Sequence, residues 1–206
     1  MLGKTHIVAG VGAAVVGAAL LHASITPDLV VMGGLGGLAP DLDHPQALLT
    51  RHVLGASAVS SVARSTGWVR HRGVAHSLVA LILTTWILLP LGAEGIGRVM
   101  LALGAGIGHP NWIVALDHLW GPGLRIGWGA GYASHMFVDI LNTKGVQWFW
   151  PLNIWIKSPI PNITVGTWPE AVFRWGLIIG VAVWHPWLGV LTAVASEVIY
   201  RGVKAG

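Results

Sequence analysis

The stretch LAPDLDHPQ, residues 38–46, puts Asp41, Asp43 and His44 between two prolines at the end of an apolar run. The chain has only eight acidic residues in 206. Two of them one residue apart, with a histidine beside them, are therefore candidates for chemistry. Similar residue types recur at three other places: His6 near the start, His71, Arg72 and His76 in HRGVAHS, and His135 with Asp139 in GYASHMFVDILN. Imidazoles and carboxylates are the ligands of hard and borderline divalent cations. With no cysteine in the chain, any metal site must use them.

Local geometry suits that use. His135 and Asp139 are four apart and share a helix face. Pro40 and Pro45 limit the intervening Asp-Leu-Asp-His to non-helical backbone. If that segment is extended, Asp41 and Asp43 point the same way. Gly73 between His71 and His76 lets the chain turn into the next helix. Four histidines (His6, His44, His71 or His76, His135) and three carboxylates exceed the four ligands zinc usually takes, which predicts two or more ions. Zinc is the first expectation, with manganese and iron as alternatives. Arg72 can hold a phosphate or carboxylate through two parallel hydrogen bonds. Asp41 or Asp43 can act as a general base in place of binding metal.

Each piece also has a plainer reading. His6 alone is a helix-end hydrogen bonder, His135 and Asp139 a buried ion pair, Asp41 and Asp43 a solvated turn, and Arg72 a membrane-flanking cation. Glu170, in Thr-Trp-Pro-Glu after Thr167, reads as a capping box. Asp117 and His118 read as interfacial. His22, His52, His109 and His185 have no carboxylate near in sequence.

The elements that must position these residues are apolar. The chain is 54% hydrophobic and 10% charged, with a mean hydropathy of +0.69. A soluble domain carries about 25% charged residues. The expectation is one domain, residues 1–206, folded as an all-α multi-pass transmembrane bundle of about four to six membrane helices, some short or re-entrant, with an interfacial helix. The first apolar run lacks a clear cleavage site and reads as a retained span, about Thr5–His22. Ala9, Ala13 and Gly17 form a small-residue stripe on it for close helix packing. A second span starts near Thr26-Pro27 and ends before Pro40. Residues 46–70 have interfacial helical spacing. A third span is about Val74–Leu91. Trp148, Trp150, Trp155, Trp168 and Trp175 suit a belt at the membrane–water boundary.

Residues 96–141 form either two spans or a re-entrant hairpin broken near Pro110 followed by one span, Leu124–Leu141. With the N-terminus inside, the hairpin leaves only Arg98 and Arg125 of the twelve basic residues outside. The two-span alternative moves Lys144, Lys157 and Arg174 outside and Arg125 inside. The excess of basic residues in cytoplasmic loops favours the hairpin. Residues 142–170 then form a cytoplasmic loop. The last apolar block, Ala171–Tyr200, is broken at His185-Pro186 and reads as a tight helical hairpin or one kinked helix. In this topology His6, Asp41, Asp43, His44, His71, His76, His135 and Asp139 converge on one membrane face, although Lys and Arg alone set it. Ionisable groups so placed are functional candidates.

The ordered set TH, PDLDHP, HRGVAHS and GYASHMFVDILNTKGVQWFWP resembles the YdjM-type family, over about Thr5–Pro151. That family is described as LexA-binding, inner-membrane-associated metal-dependent hydrolases. The resemblance implies a cytoplasmic-membrane location and maps the motif onto His6, Asp41, Asp43, His44, His71, Arg72, His76, His135 and Asp139. Ala75 departs from it, since a hydroxyl residue is common there. In ligand type alone, the donor set is also similar to that of zinc phospholipases C and related nucleases.

The functional expectation is a membrane-bound metal-dependent hydrolase acting on a phosphoester or lipid headgroup at the cytoplasmic face. Its partners would be the bilayer, a phospholipid or phosphoester substrate and a cytoplasmic protein, with no direct nucleic-acid binding. The alternative is a non-catalytic scaffold or regulatory protein whose structural metal ties the spans together. Metal transport is a third class. It needs ionisable residues through the membrane depth, whereas here most gather at one end.

Overall fold

A computed structural model of the chain describes residues 2–44, 73–88, 90, 121–142, 145–159 and 163–205. The expected interfacial helix (46–70), the expected hairpin (96–120, with Asp117 and His118), His71 and Arg72 lie outside the described residues, as does the side chain of Asp43. Among the described residues the protein is all-helical. Its helices are α1 (Gly3–Leu20), α2 (Pro27–Gly36), α3 (Leu78–Leu83, continuing as a wider π turn, Thr84–Leu88), α4 (Pro122–Ile140), α5 (Trp168–Trp184) and α6 (Pro186–Ala205). Among the described residues, one helix, Gly3–Leu20, is long and apolar enough to cross a membrane.

Proline opens four of these helices. Pro27, Pro122 and Pro186 stand first in α2, α4 and α6, and Pro169 stands second in α5. There its fixed φ suits the helix and its missing N–H is not needed. α2 is short, 10 residues, or about 15 Å. α3 is capped by Ser77, whose Oγ accepts from the Ala80 N–H at 3.2 Å.

α1, α2 and α4 pack at backbone contact. A Cβ on Gly10 would run into the Gly33 carbonyl oxygen, and one on Gly131 would meet the same oxygen from α4. Glycine is therefore required at both positions for the three axes to lie this close. The closest face of α1 is Gly10–Ala14, one residue along from the expected Ala9–Ala13–Gly17 stripe. Ala9 instead packs against Val138, and Gly17 faces Ile126 and Ala130 in ordinary contact.

The contacts fix chain direction. α4 runs opposite to α1, because Asp139 meets His6 while Ile126 meets Gly17. α3 runs from Ala75, bonded by the Tyr132 hydroxyl, to Trp86, whose ring lies 5.9 Å from the Arg125 guanidinium carbon. α3 thus ends where α4 begins. α5 and α6 form a tight hairpin at His185: α5 starts beside the start of α1, and α6 brings Glu197 back to Lys4, 3.4 Å away. A single kinked helix does not fit, since Gly189 packs directly on Ala182.

Candidate metal centre

Four elements each bring one or two donors to the same end of the bundle. His6 comes from the first turns of α1, Asp41 from the turn after α2, His76 from the turn before α3, and His135 with Asp139 from the last turns of α4. His6, His76, His135 and Asp139 are buried, while the Asp41 side chain is 22% exposed.

Pro40 makes its local structure in an unexpected way. Ala39–Asp43 forms one short 3-10 turn, closed by Asp41 N–H to the Leu38 carbonyl (3.2 Å) and His44 N–H to the Asp41 carbonyl (2.8 Å). The segment is not extended, so the alternation that would aim Asp41 and Asp43 alike does not apply. Nor is it non-helical, because a 3-10 turn tolerates the proline φ at its first positions.

Around the centre, the Nε2 atoms of His76 and His135 are 3.1 Å apart. Each lies 3.7 Å from Asp41 Oδ1 and 3.8 Å from Asp139 Oδ2. Bonds of about 2.0–2.1 Å to a tetrahedral ion set neighbouring donors about 3.3–3.4 Å apart. His76, His135 and Asp139 form one group of three donors near that spacing, and His6, Asp41 and His135 form another, so these His and Asp groups could hold a metal ion. His6 stacks on His135 with ring centroids 3.7 Å apart. It shares a second donor group with Asp41 and His135.

The surrounding hydrogen bonds orient the donors. His135 Nδ1 lies 2.7 Å from the Gly37 carbonyl oxygen. A carbonyl only accepts, so Nδ1 carries the proton and Nε2 turns its lone pair to the centre. Asp139 Oδ1 accepts from Asn142 Nδ2 at 2.8 Å, leaving Oδ2 toward the histidines. Because His135 has one open nitrogen, it serves one ion at a time. Among the described residues, the two groups of three share His135 and draw on five donors in all.

The fit to a cation rests on His6. Both its ring nitrogens are buried and have no hydrogen-bond partner, with Nε2 3.4 Å from Asp139 Oδ1. Buried polar atoms are nearly always satisfied, by protein, water or an ion. Burial alone would push the Asp41 carboxyl up. His135, His76 and His6 outweigh it and hold the group well below the usual carboxylate range.

A sequence model of the family described as YdjM inner membrane protein matches residues 1–205. The chain belongs to the YdjM family. It is 29% identical to inner membrane protein YdjM of Escherichia coli (strain K12) over 154 residues, 73% of this chain and 61% of that protein. The same figures hold for YdjM of Shigella flexneri. YvsG of Bacillus subtilis (strain 168) is 23% identical over 181 residues, 87% of this chain and 91% of that one. The matched region thus spans about three-fifths of the enterobacterial YdjM proteins. No solved structure matches.

Of the residues mapped from the YdjM motif, the structure brings together His6, Asp41, His76, His135 and Asp139. His44 is half-buried and stands outside both donor groups. Glu170 is not part of a capping box for its own helix. Its buried carboxylate accepts from the Leu2 N–H, from Thr5 Oγ1 at 2.8 Å and from the Gly166 N–H at 2.7 Å, holding the start of α1. The anion so placed also suits the positive end of the α1 dipole. Gly37 and Asn142 were not singled out from the sequence. Asn142 was readable, three residues after Asp139 on a helix that had already supplied two donors. Gly37 looked like one more glycine ending a helix.

Proposed function

We propose that this YdjM-family chain is a multi-pass membrane protein with a divalent-metal centre at its cytoplasmic end that hydrolyses a phosphoester at lipid headgroup level. The single observation behind it is the convergence of five His and Asp donors from four elements into two groups of three, with both His6 ring nitrogens buried and without a hydrogen-bond partner. The inner-membrane naming of the YdjM relatives supports the location. The common end at which α3 stops and α4 starts is what the re-entrant reading of residues 96–120 requires.

A divalent ion held there supplies Lewis acidity, making a water more acidic and polarising a phosphoryl oxygen. His76, His135 and Asp139 hold the ion, with Gly37 and Asn142 fixing their directions. The Asp41 side chain is 22% exposed, so of the clustered donors it is the one placed to meet an attacking water and take its proton in place of binding the ion. Arg72, one residue before the Gly73 turn, pairs with the substrate phosphate. Asp43, His44 and His71 are the further donors of the motif that a second ion would call on. Zinc suits the imidazole-carboxylate set.

The test has two stages. Protein purified without chelators carries metal, and His135→Ala carries less. Phosphodiester and phospholipid turnover by the wild type, abolished in His135→Ala, identifies an enzyme. Metal without turnover identifies the scaffold reading, which the close tying of four elements by one donor cluster also favours. A wild type without metal overturns both.

A further inference from the structure

Alongside the centre, α1, α4 and α5 enclose an open apolar groove of about 650 Å³. On α1 it follows one face from Ala9 to Leu20, about 16 Å at 1.5 Å per residue. Its near end is at Ala9 and Val138, and Val138 precedes the donor Asp139. Its far end is at Trp184. Among the described residues that line it, the one hydroxyl, that of Ser134, already bonds to the Gly131 carbonyl at 2.7 Å. The groove thus offers a ligand no open side-chain hydroxyl.

We propose that this groove binds one acyl chain of a membrane phospholipid, with the headgroup lying toward the metal centre. Three observations favour a lipid chain as occupant. The groove is continuous with an outward apolar face, since Val16 and Phe137 line it and are 45% and 59% exposed. In a membrane-family protein, such a face is solvated by lipid tails. It is long, and glycine leaves its α5 wall open: nothing lies within 4 Å of a Cβ built on Gly176 or Gly180. One end reaches the level of the donors, which is where a phosphate attached to the buried chain would sit.

The inference deepens the hydrolase reading by choosing a phospholipid over a soluble phosphoester. It rests on that reading for the reaction, while occupancy of the groove stands apart from it. The experiment therefore reads binding without turnover. A non-hydrolysable ether phosphatidylglycerol with a diazirine at mid-chain is mixed into phosphatidylethanolamine vesicles holding the full chain, with and without chelator. Crosslinked peptides are mapped by mass spectrometry.

Labelling is expected on the α1 and α5 walls of the groove. It should fall at least about fivefold in Gly176→Leu and Gly180→Leu, whose added Cβ atoms enter open space. Val183→Leu, on the outward surface, should label as the wild type does. Circular dichroism confirms that each variant is folded. Labelling spread evenly over outward faces, or unchanged in both glycine variants, overturns the proposal. So does a groove that takes no label because a second copy or another segment of this chain fills it. Groove labelling that survives chelation in a protein that binds no metal keeps the lipid site and discards the hydrolase reading.

Discussion

The His135 imidazole donates through Nδ1 to the Gly37 carbonyl oxygen at 2.7 Å, and Gly37 itself sits against the His6 backbone. One glycine therefore fixes the direction of one metal-donor candidate and the position of another. A Cβ on Gly37 would run into the His6 carbonyl oxygen. Gly37→Ala is expected to lower metal affinity at least about tenfold, the range seen when groups supporting metal ligands are lost. Metal titration of the purified variant, with helicity by circular dichroism as control, measures this. Undiminished affinity would show that Gly37 is only a packing residue.

Asn142 supports the other α4 donor. Asn142→Ala removes the 2.8 Å bond to Asp139 Oδ1 and should weaken metal binding about 10- to 100-fold. Asn142→Asp should be worse, because it sets a second carboxylate against Asp139. Competition with a chromophoric chelator ranks the three proteins. Equal affinities would remove Asn142 from the account.

Glu170 is a stability residue. Glu170→Ala leaves the Leu2 and Gly166 N–H groups and the Thr5 hydroxyl to find other partners, at about 1–3 kcal/mol for each that stays buried and unsatisfied. Thermal unfolding of metal-free protein should fall clearly, with Glu170→Gln in between. If the melting temperature holds, the start of α1 has another anchor.

Gly10→Leu separates α1 from α2, since even a Cβ there meets the Gly33 carbonyl. The variant should unfold at lower temperature and be cut faster by protease than Gly12→Ala, whose Cβ meets only the end of Val181 at 3.3 Å. Similar proteolysis of both would argue against backbone contact at Gly10.

The depressed Asp41 carboxyl gives a signed pH effect. A folded pKa below the unfolded one stabilises above the unfolded value, about 3.9, and that contribution is lost as pH falls toward the folded value. Metal-free wild type should therefore lose more stability than Asp41→Asn between about pH 5 and pH 2. Parallel pH profiles would contradict the charge environment assigned to Asp41.

Much of this was legible in the sequence because rare polar residues in an apolar chain have few reasons to be there. His6, Asp41, His76, His135 and Asp139 stood out by type, and the sidedness of Lys and Arg put them at one end. The His185-Pro186 break marked the α5–α6 turn for the same local reason that proline starts a helix. What stayed hidden was set by partners distant in sequence. The Gly10–Gly33 contact could not be told from the neighbouring Ala9–Ala13–Gly17 stripe, because which face of α1 meets α2 depends on how the two axes cross. Glu170 had a sufficient local explanation in Thr-Trp-Pro-Glu, yet its carboxylate is used 168 positions away, at Leu2. The 3-10 turn at Ala39–Asp43 was missed because prolines were read as excluding helix of any kind.

The donor set is divided among four elements, none of which holds enough ligands alone. During synthesis the ribosome releases His6 early and Asp139 only after α1, α2 and α3 have been made. An ion held by this set would therefore be captured late in the life of the polypeptide, once α4 had been made. A chain stalled before α4 would lack His135 and Asp139, and a loaded ion would mark molecules whose helices had all been brought together.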